Sequence, residues 1–199
     1  MAQVHAAAPA ILFVCTGNVC RSPYMEFRLR RMLATEKISG IPLASVGTRA
    51  LEGHPMADPL IERLLAQGID ARGFRAASLT YEALHGAGAV VTATREHRRQ
   101  VVRCGGNELA DRTFTLAQFS RLLSADAPPG ADAGGVAGGT AVAALVSAAL
   151  AARGRGSAGP VREDDLDDPW QRSRRTYRRV ADRIDELLIP VAARLTAGA

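Results

Sequence analysis

A chain of 199 residues, 47% hydrophobic and 23% charged, has the composition of a folded domain and excludes a disordered or fibrous protein. Its net charge is +5, and Lys37 is the one lysine among 25 Lys and Arg residues; an anionic ligand would be welcome, although solvated arginine on surface helices gives the same balance. Three cysteines, an odd number, exclude a disulfide scaffold and fit a reducing compartment, so the expected localisation is cytoplasmic.

Residues 1–9 read as a loose tail. No Lys or Arg precedes Arg21, so no secretory signal is expected, and the longest weakly polar stretch, 141–152, is too short to span a bilayer. Ile11-Leu12-Phe13-Val14 is a continuous apolar run, the pattern of a strand buried on both faces. A glycine-containing loop, Thr16–Ser22, follows at once. Pro23 then opens a helix with Met25, Leu29, Met32 and Leu33 on one side. Leu43–Val46 is a second strand ending at Gly47, and Pro59–Gln67 a helix with Leu60, Ile61, Leu64 and Leu65 inward. Ala89–Ala93 is a third strand and Glu96–Arg103 a short helix. Thr113–Thr115 and Ala117–Leu123 make a further strand and helix.

Residues 125–160 break this rhythm. Ala and Gly dominate them, and they read as a mostly flexible, dispensable insertion within which 141–152 can form one helix. A long amphipathic helix then carries Val180, Ile184, Leu187, Leu188, Val191 and Leu195. Strands alternating with helices predict a single α/β domain over 10–199: a three-layer, doubly wound sandwich on a central four-stranded parallel sheet. Ligands of such sheets sit beyond the carboxyl ends of the strands, where the Thr16–Ser22 loop falls.

That loop, Cys15-Thr16-Gly17-Asn18-Val19-Cys20-Arg21-Ser22-Pro23, holds the densest chemistry. Its N–H groups and the positive end of the following helix suit an oxyanion. Arg21 offers a planar fork for two phosphate oxygens. Gly17 is expected to ease the turn. Cys15 sits at the strand's end in a setting that favours thiolate, and Ser22 is placed to hydrogen-bond its sulfur.

C-x5-R-S-P directly after an apolar strand resembles the low-molecular-weight protein tyrosine phosphatase family. Ser45-Val46-Gly47-Thr48 is similar to that family's second strand and turn, and Thr94-Arg95-Glu96-His97-Arg98 to its segment after the third strand. Asp168-Pro169 resembles its general-acid motif. The resemblance implies a phosphomonoester hydrolase acting on protein phosphotyrosine through a cysteinyl-phosphate. Cys15 would be the nucleophile, Arg21 the phosphate clamp and Asp168 the general acid and base. Thr16, Gly17, Asn18, Val19, Cys20 and Ser22 would form the substrate loop, with Asn18 bracing it. No cofactor or metal is implied. The implied partner is a phosphotyrosine protein, with phosphate-like oxyanions as inhibitors, no nucleic acid or membrane, and a monomer or weak dimer.

Asp168 competes with Asp164, Asp165 and Asp167, and the proline after it selects it. Trp170 stacks on the substrate ring or packs on the last helix. Cys20 is either a small buried residue or, as in family members with this pair, the partner of Cys15 in a protective, redox-sensitive disulfide. His5, His54, His85 and His97 form no triad and read as surface or supporting residues. No ring lies in 47–53, where the family carries an aromatic wall, so Arg49 or Leu51 is expected there. Family members acting on phosphoarginine tend to carry threonine at the Val19 position. A thiol-dependent arsenate reductase would need a cysteine relay, and only Cys104 lies beyond the loop. A phosphopeptide-binding module would not need Cys15 and Asp168. The arginines at 172–179 read as a solvated helix face rather than a DNA-binding one.

Overall fold

The computed structural model describes residues 11–124, 138–155 and 164–197. Its sheet has the order β2-β1-β3-β4, all parallel: β1 (Ile11–Cys15), β2 (Leu43–Gly47), β3 (Ala89–Thr92) and β4 (Thr113–Thr115). Every residue of β1 is buried, and the strand's twofold alternation divides it between two cores. Ile11, Phe13 and Cys15 face one cluster with α1 (Arg21–Thr35) and α7 (Arg174–Thr196). Leu12 and Val14 face the other with Leu84, Val101 and Leu109, from α3 (Tyr81–Gly86), α4 (Arg95–Gly105) and the 3-10 turn at 107–112. A central strand must therefore be apolar throughout, and that is why its sequence shows no polar alternation.

Helices cover both faces, as a doubly wound sandwich requires. α7 packs against both α1 and α5 (Leu116–Ser124), and Val180, Ile184, Leu187, Leu188, Val191 and Leu195 are all buried. Among the described residues no helix is long and apolar enough to cross a membrane. On the arginine-rich stretch before and within α7, Arg174 pairs with Glu62 and Arg179 with Asp167.

Some expectations are corrected. α1 begins at Arg21, two residues before Pro23; the first helical bond runs from Tyr24 N–H to the Cys20 carbonyl, so the missing proline N–H costs nothing there. In α2 (Asp58–Ala66), Leu60 and Leu64 are buried but Leu65 is 41% exposed, since adjacent helical positions lie 100° apart. α3 and the 3-10 turn are too short to leave a period in the sequence.

The largest correction concerns α6 (Gly138–Gly154), which is part of the core. Val142, Leu145, Ala149 and Ala152 are buried, at spacings of three and four residues, and the helix packs on α5 and α7. Small side chains let backbones approach closely, so an alanine-rich face can be a packing face although it looks like low complexity. The helix expected within 141–152 is present, but it is longer and part of the core rather than a dispensable insertion; the rest of 125–160, like the tail at 1–9, lies outside the described residues.

Candidate active site

Cys15 closes β1, and the loop to α1 wraps the carboxyl end of the sheet. The loop carbonyls are bonded on one side: Cys15, Thr16 and Gly17 accept from the N–H groups of Thr48, Arg49 and Leu51, and Val19 from Ala57, at 2.8–3.0 Å. In a planar trans peptide the next residue's N–H points the opposite way. The amides of Thr16, Gly17, Asn18 and Cys20 thus turn to the loop's inner side, where α1 starts with no side-chain cap. This close apposition requires Gly47, because a Cβ there would lie 2.5 Å from the Thr16 carbonyl oxygen. The left-handed residue of the loop is Asn18, at φ 54°, and not Gly17, where a Cβ would meet only ordinary contacts.

Asn18 braces this geometry. Its Oδ1 accepts from Ala77 N–H at 2.8 Å, which orients the amide so that Nδ2 donates to Ser22 Oγ at 2.9 Å and Ser45 Oγ at 3.0 Å. Ser22 Oγ lies 3.0 Å from Cys15 Sγ, a contact in which either group can donate, and it donates to the Val46 carbonyl at 3.3 Å. Cys15, Asn18 and Ser22 are all buried.

Arg21 is 4% exposed. Its Nη1 donates to the Leu166 carbonyl at 3.2 Å and its Nη2 meets Asp168 Oδ2 at 2.9 Å. Its Nε is buried without a protein partner, a donor in the position an oxyanion would satisfy. The segment bearing Asp168 is pinned residue by residue. Asp164 pairs with Arg121, Asp165 takes the N–H and guanidinium of Arg95, Leu166 N–H bonds the Ala93 carbonyl, and Asp167 pairs with Arg179. Each rival carboxylate is thereby assigned elsewhere, and Asp168 alone of the four lines the loop's cavity.

That cavity, about 140 Å³, is lined by Cys15, Thr16, Gly17, Val19, Cys20 and Arg21 of the loop together with Arg49, Leu51, Asp168 and Trp170. Arg49 and Leu51 supply the wall where a ring is missing. Trp170, 40% exposed, is part of the lining. Cys20 is a buried free thiol, pushed up to about 12 by burial and then by the neighbouring Cys15, and hydrogen-bonded to Tyr177 of α7. Cys104 is exposed on α4.

Sequence reasoning underrated His97. It is buried, with Nε2 2.8 Å from Thr16 Oγ1 and Nδ1 2.7 Å from Thr94 Oγ1, so it ties the phosphate-loop threonine to the N-cap of α4. Burial, then the Arg21 charge, push it down to about 4. The TREH motif held the signal, but only the fold shows what the ring touches. Leu166, whose carbonyl holds Arg21, left no signal at all.

A loop at the sheet's carboxyl end with a buried cysteine at its base, an arginine reaching into it and a carboxylate paired with that arginine define an anion-handling α/β enzyme. Comparison with known proteins makes this specific. Residues 10–127 match the family described as low molecular weight phosphotyrosine protein phosphatase, and the chain belongs to that family and is a phosphatase. It is 36% identical over 109 residues to a protein-arginine-phosphatase of Geobacillus stearothermophilus, covering 55% of this chain and 70% of the relative. To the probable low molecular weight protein-tyrosine-phosphatase EpsP of Ralstonia solanacearum it is 37% identical over 92 residues, 46% of this chain and 59% of that one. Among solved structures, the low molecular weight protein tyrosine phosphatase from T. tengcongensis superposes with a TM-score of 0.65 at 27% identity, covering 91% of this chain and 95% of the other. Asp168 lies beyond the residues matched to the family.

Proposed function

We propose that this phosphatase hydrolyses phosphotyrosine in proteins, with Cys15 as nucleophile, Arg21 and the loop amides as phosphate clamp, and Asp168 as general acid and base. The observation that carries the reading is one cavity holding a buried Cys15, 3.0 Å from Ser22, together with Arg21 and Asp168. The Cys15 thiolate attacks phosphorus, the S–P bond forms and the bond to the leaving oxygen breaks, that oxygen taking its proton from Asp168. The Asp168 carboxylate then takes a proton from water as the water oxygen attacks phosphorus, and the S–P bond breaks to return thiolate and phosphate. Dividing the displacement lowers each barrier. Arg21 and the amides follow the equatorial oxygens through both steps. Thr16, Gly17, Asn18, Val19, Cys20 and Ser22 shape the cradle, and Trp170 flanks the substrate ring.

A second reading, phosphoarginine, is favoured by the name of the Geobacillus relative. Against it stands Val19, whose side chain offers a guanidinium no hydrogen-bond acceptor. Phosphate-like oxyanions should compete for the same cradle. Cys20, beside Cys15, is a suitable resolving thiol for a reversible disulfide, in keeping with a reducing, cytoplasmic setting.

Steady-state turnover of matched phosphotyrosine, phosphoserine and phosphoarginine peptides tests the reading, with Cys15→Ser as control. Phosphotyrosine should be preferred and Cys15→Ser inactive. Preference for phosphoarginine would replace the substrate, and retained turnover in Cys15→Ser would end the nucleophile assignment.

A further inference from the structure

A larger cavity, about 490 Å³, lies beside the catalytic one, between the turn after β2, α3 and the later part of α4. Arg49 lines both cavities, so the two hollows share a wall. The lining of the larger one combines two guanidinium groups, Arg49 and Arg103, with Thr48, Gln100 and the ring of Tyr81, 61% exposed. The Thr48 hydroxyl has no protein partner. No Asp or Glu lines the cavity among the described residues. Both arginines are exposed, and neither forms an ion pair among the described residues. Glu96, which feels the charge of Arg103, is bound by Arg99 at 2.6 Å. Arginines elsewhere around the site are engaged: Arg95, Arg121 and Arg179 hold the acid segment.

We propose that this cavity is a subsite for acidic residues flanking the phosphorylated residue of the protein substrate, with Arg103 as a specificity-determining residue. The inference rests on the phosphatase reading above and deepens it. A peptide presenting its phosphate to Cys15 continues past Arg49 into a hollow carrying two exposed planar forks, each able to take a carboxylate through two hydrogen bonds. A carboxylate on an exposed arginine gives roughly a two- to fivefold gain in kcat/KM, and the gain fades at high salt as the charges are screened.

The test measures kcat/KM for an aryl phosphate without flanks, a phosphopeptide with neutral flanks, and phosphopeptides with Asp or Glu placed before or after the phosphorylated residue. The peptides carry phosphotyrosine, or phosphoarginine should that be what the enzyme turns over. In the unaltered protein one acidic peptide should exceed the neutral one roughly two- to fivefold at low salt, and the advantage should shrink in high salt. Arg103→Gln should abolish it and Arg103→Glu reverse it, with the aryl phosphate rate unchanged. Equal rates for acidic and neutral peptides, or an advantage that survives both substitutions, would overturn the subsite. Should the Arg103 variants fail to fold, the salt series on the unaltered protein decides alone. Absence of aryl phosphate turnover in the unaltered protein would instead overturn the catalytic reading.

Discussion

Replacing Asp168 by alanine separates proton transfer from every other duty of the site. The side chain is 54% exposed and its ion pair with Arg21 spans 2.9 Å, so losing that pair costs stability of only about 1 kcal/mol or less. Arg21 keeps its bond to the Leu166 carbonyl, which holds the guanidinium in place. Kinetic loss therefore reports chemistry rather than unfolding. General acid catalysis contributes about 10²–10⁴ in rate, equivalent to roughly 3–5 kcal/mol at the transition state. A leaving group as poor as phenolate needs all of this, whereas dinitrophenolate departs without a proton. Across a series of aryl phosphates, Asp168→Ala should lose about a hundredfold or more with phenyl phosphate and little with the dinitro ester, steepening the dependence on leaving-group basicity. Asp165→Asn and Asp167→Asn, whose carboxylates are held by Arg95 and Arg179, should leave that slope alone. An equal loss on every ester, or a slope change in either control, would refute the assignment of the acid.

Two further outcomes concern stability. His97 is held near 4 against an ordinary 6.5, so the unfolded chain binds a proton the folded one refuses between those values. Its contribution is complete above the unfolded value and is lost as pH falls from 6.5 toward 4, up to roughly 3 kcal/mol. Urea midpoints at about pH 7 and 4.5 should fall further for the unaltered protein than for His97→Gln; parallel falls would contradict a neutral, buried ring. For α6, Leu145 is 3% exposed, and Leu145→Ala should cost about 2–4 kcal/mol, whereas a change in a solvated insertion stays within about 0.5. A midpoint unmoved by Leu145→Ala would return α6 to the periphery.

How far the sequence could be read depended on the range of the interaction. The sheet and α7 were legible because burial on two faces forces an unbroken apolar run and burial on one helical face forces a 3.6-residue period. α6 was legible as a helix but not as part of the core, because its inward positions are filled by alanine as often as by valine or leucine, and small volume hides a packing face. The phosphate loop was legible because Cys15, Arg21 and Ser22 act within one turn of backbone, although the strained position proved to be Asn18 rather than Gly17. What holds the loop was not legible: Asn18 meets Ala77 and Ser45, and Thr16 meets His97.

From the order of residues alone came the Cys15–Arg21 loop and the layered α/β plan, since each is local and leaves a period or a motif. The tertiary structure decided which carboxylate lines the cavity that holds Cys15, by giving Asp164, Asp165 and Asp167 other arginines and leaving Asp168 to Arg21. It also placed Arg49 between two cavities. Arg21 and the Leu166 carbonyl that steadies it are 145 residues apart, and no local pattern records a contact that exists only once the chain has closed on itself.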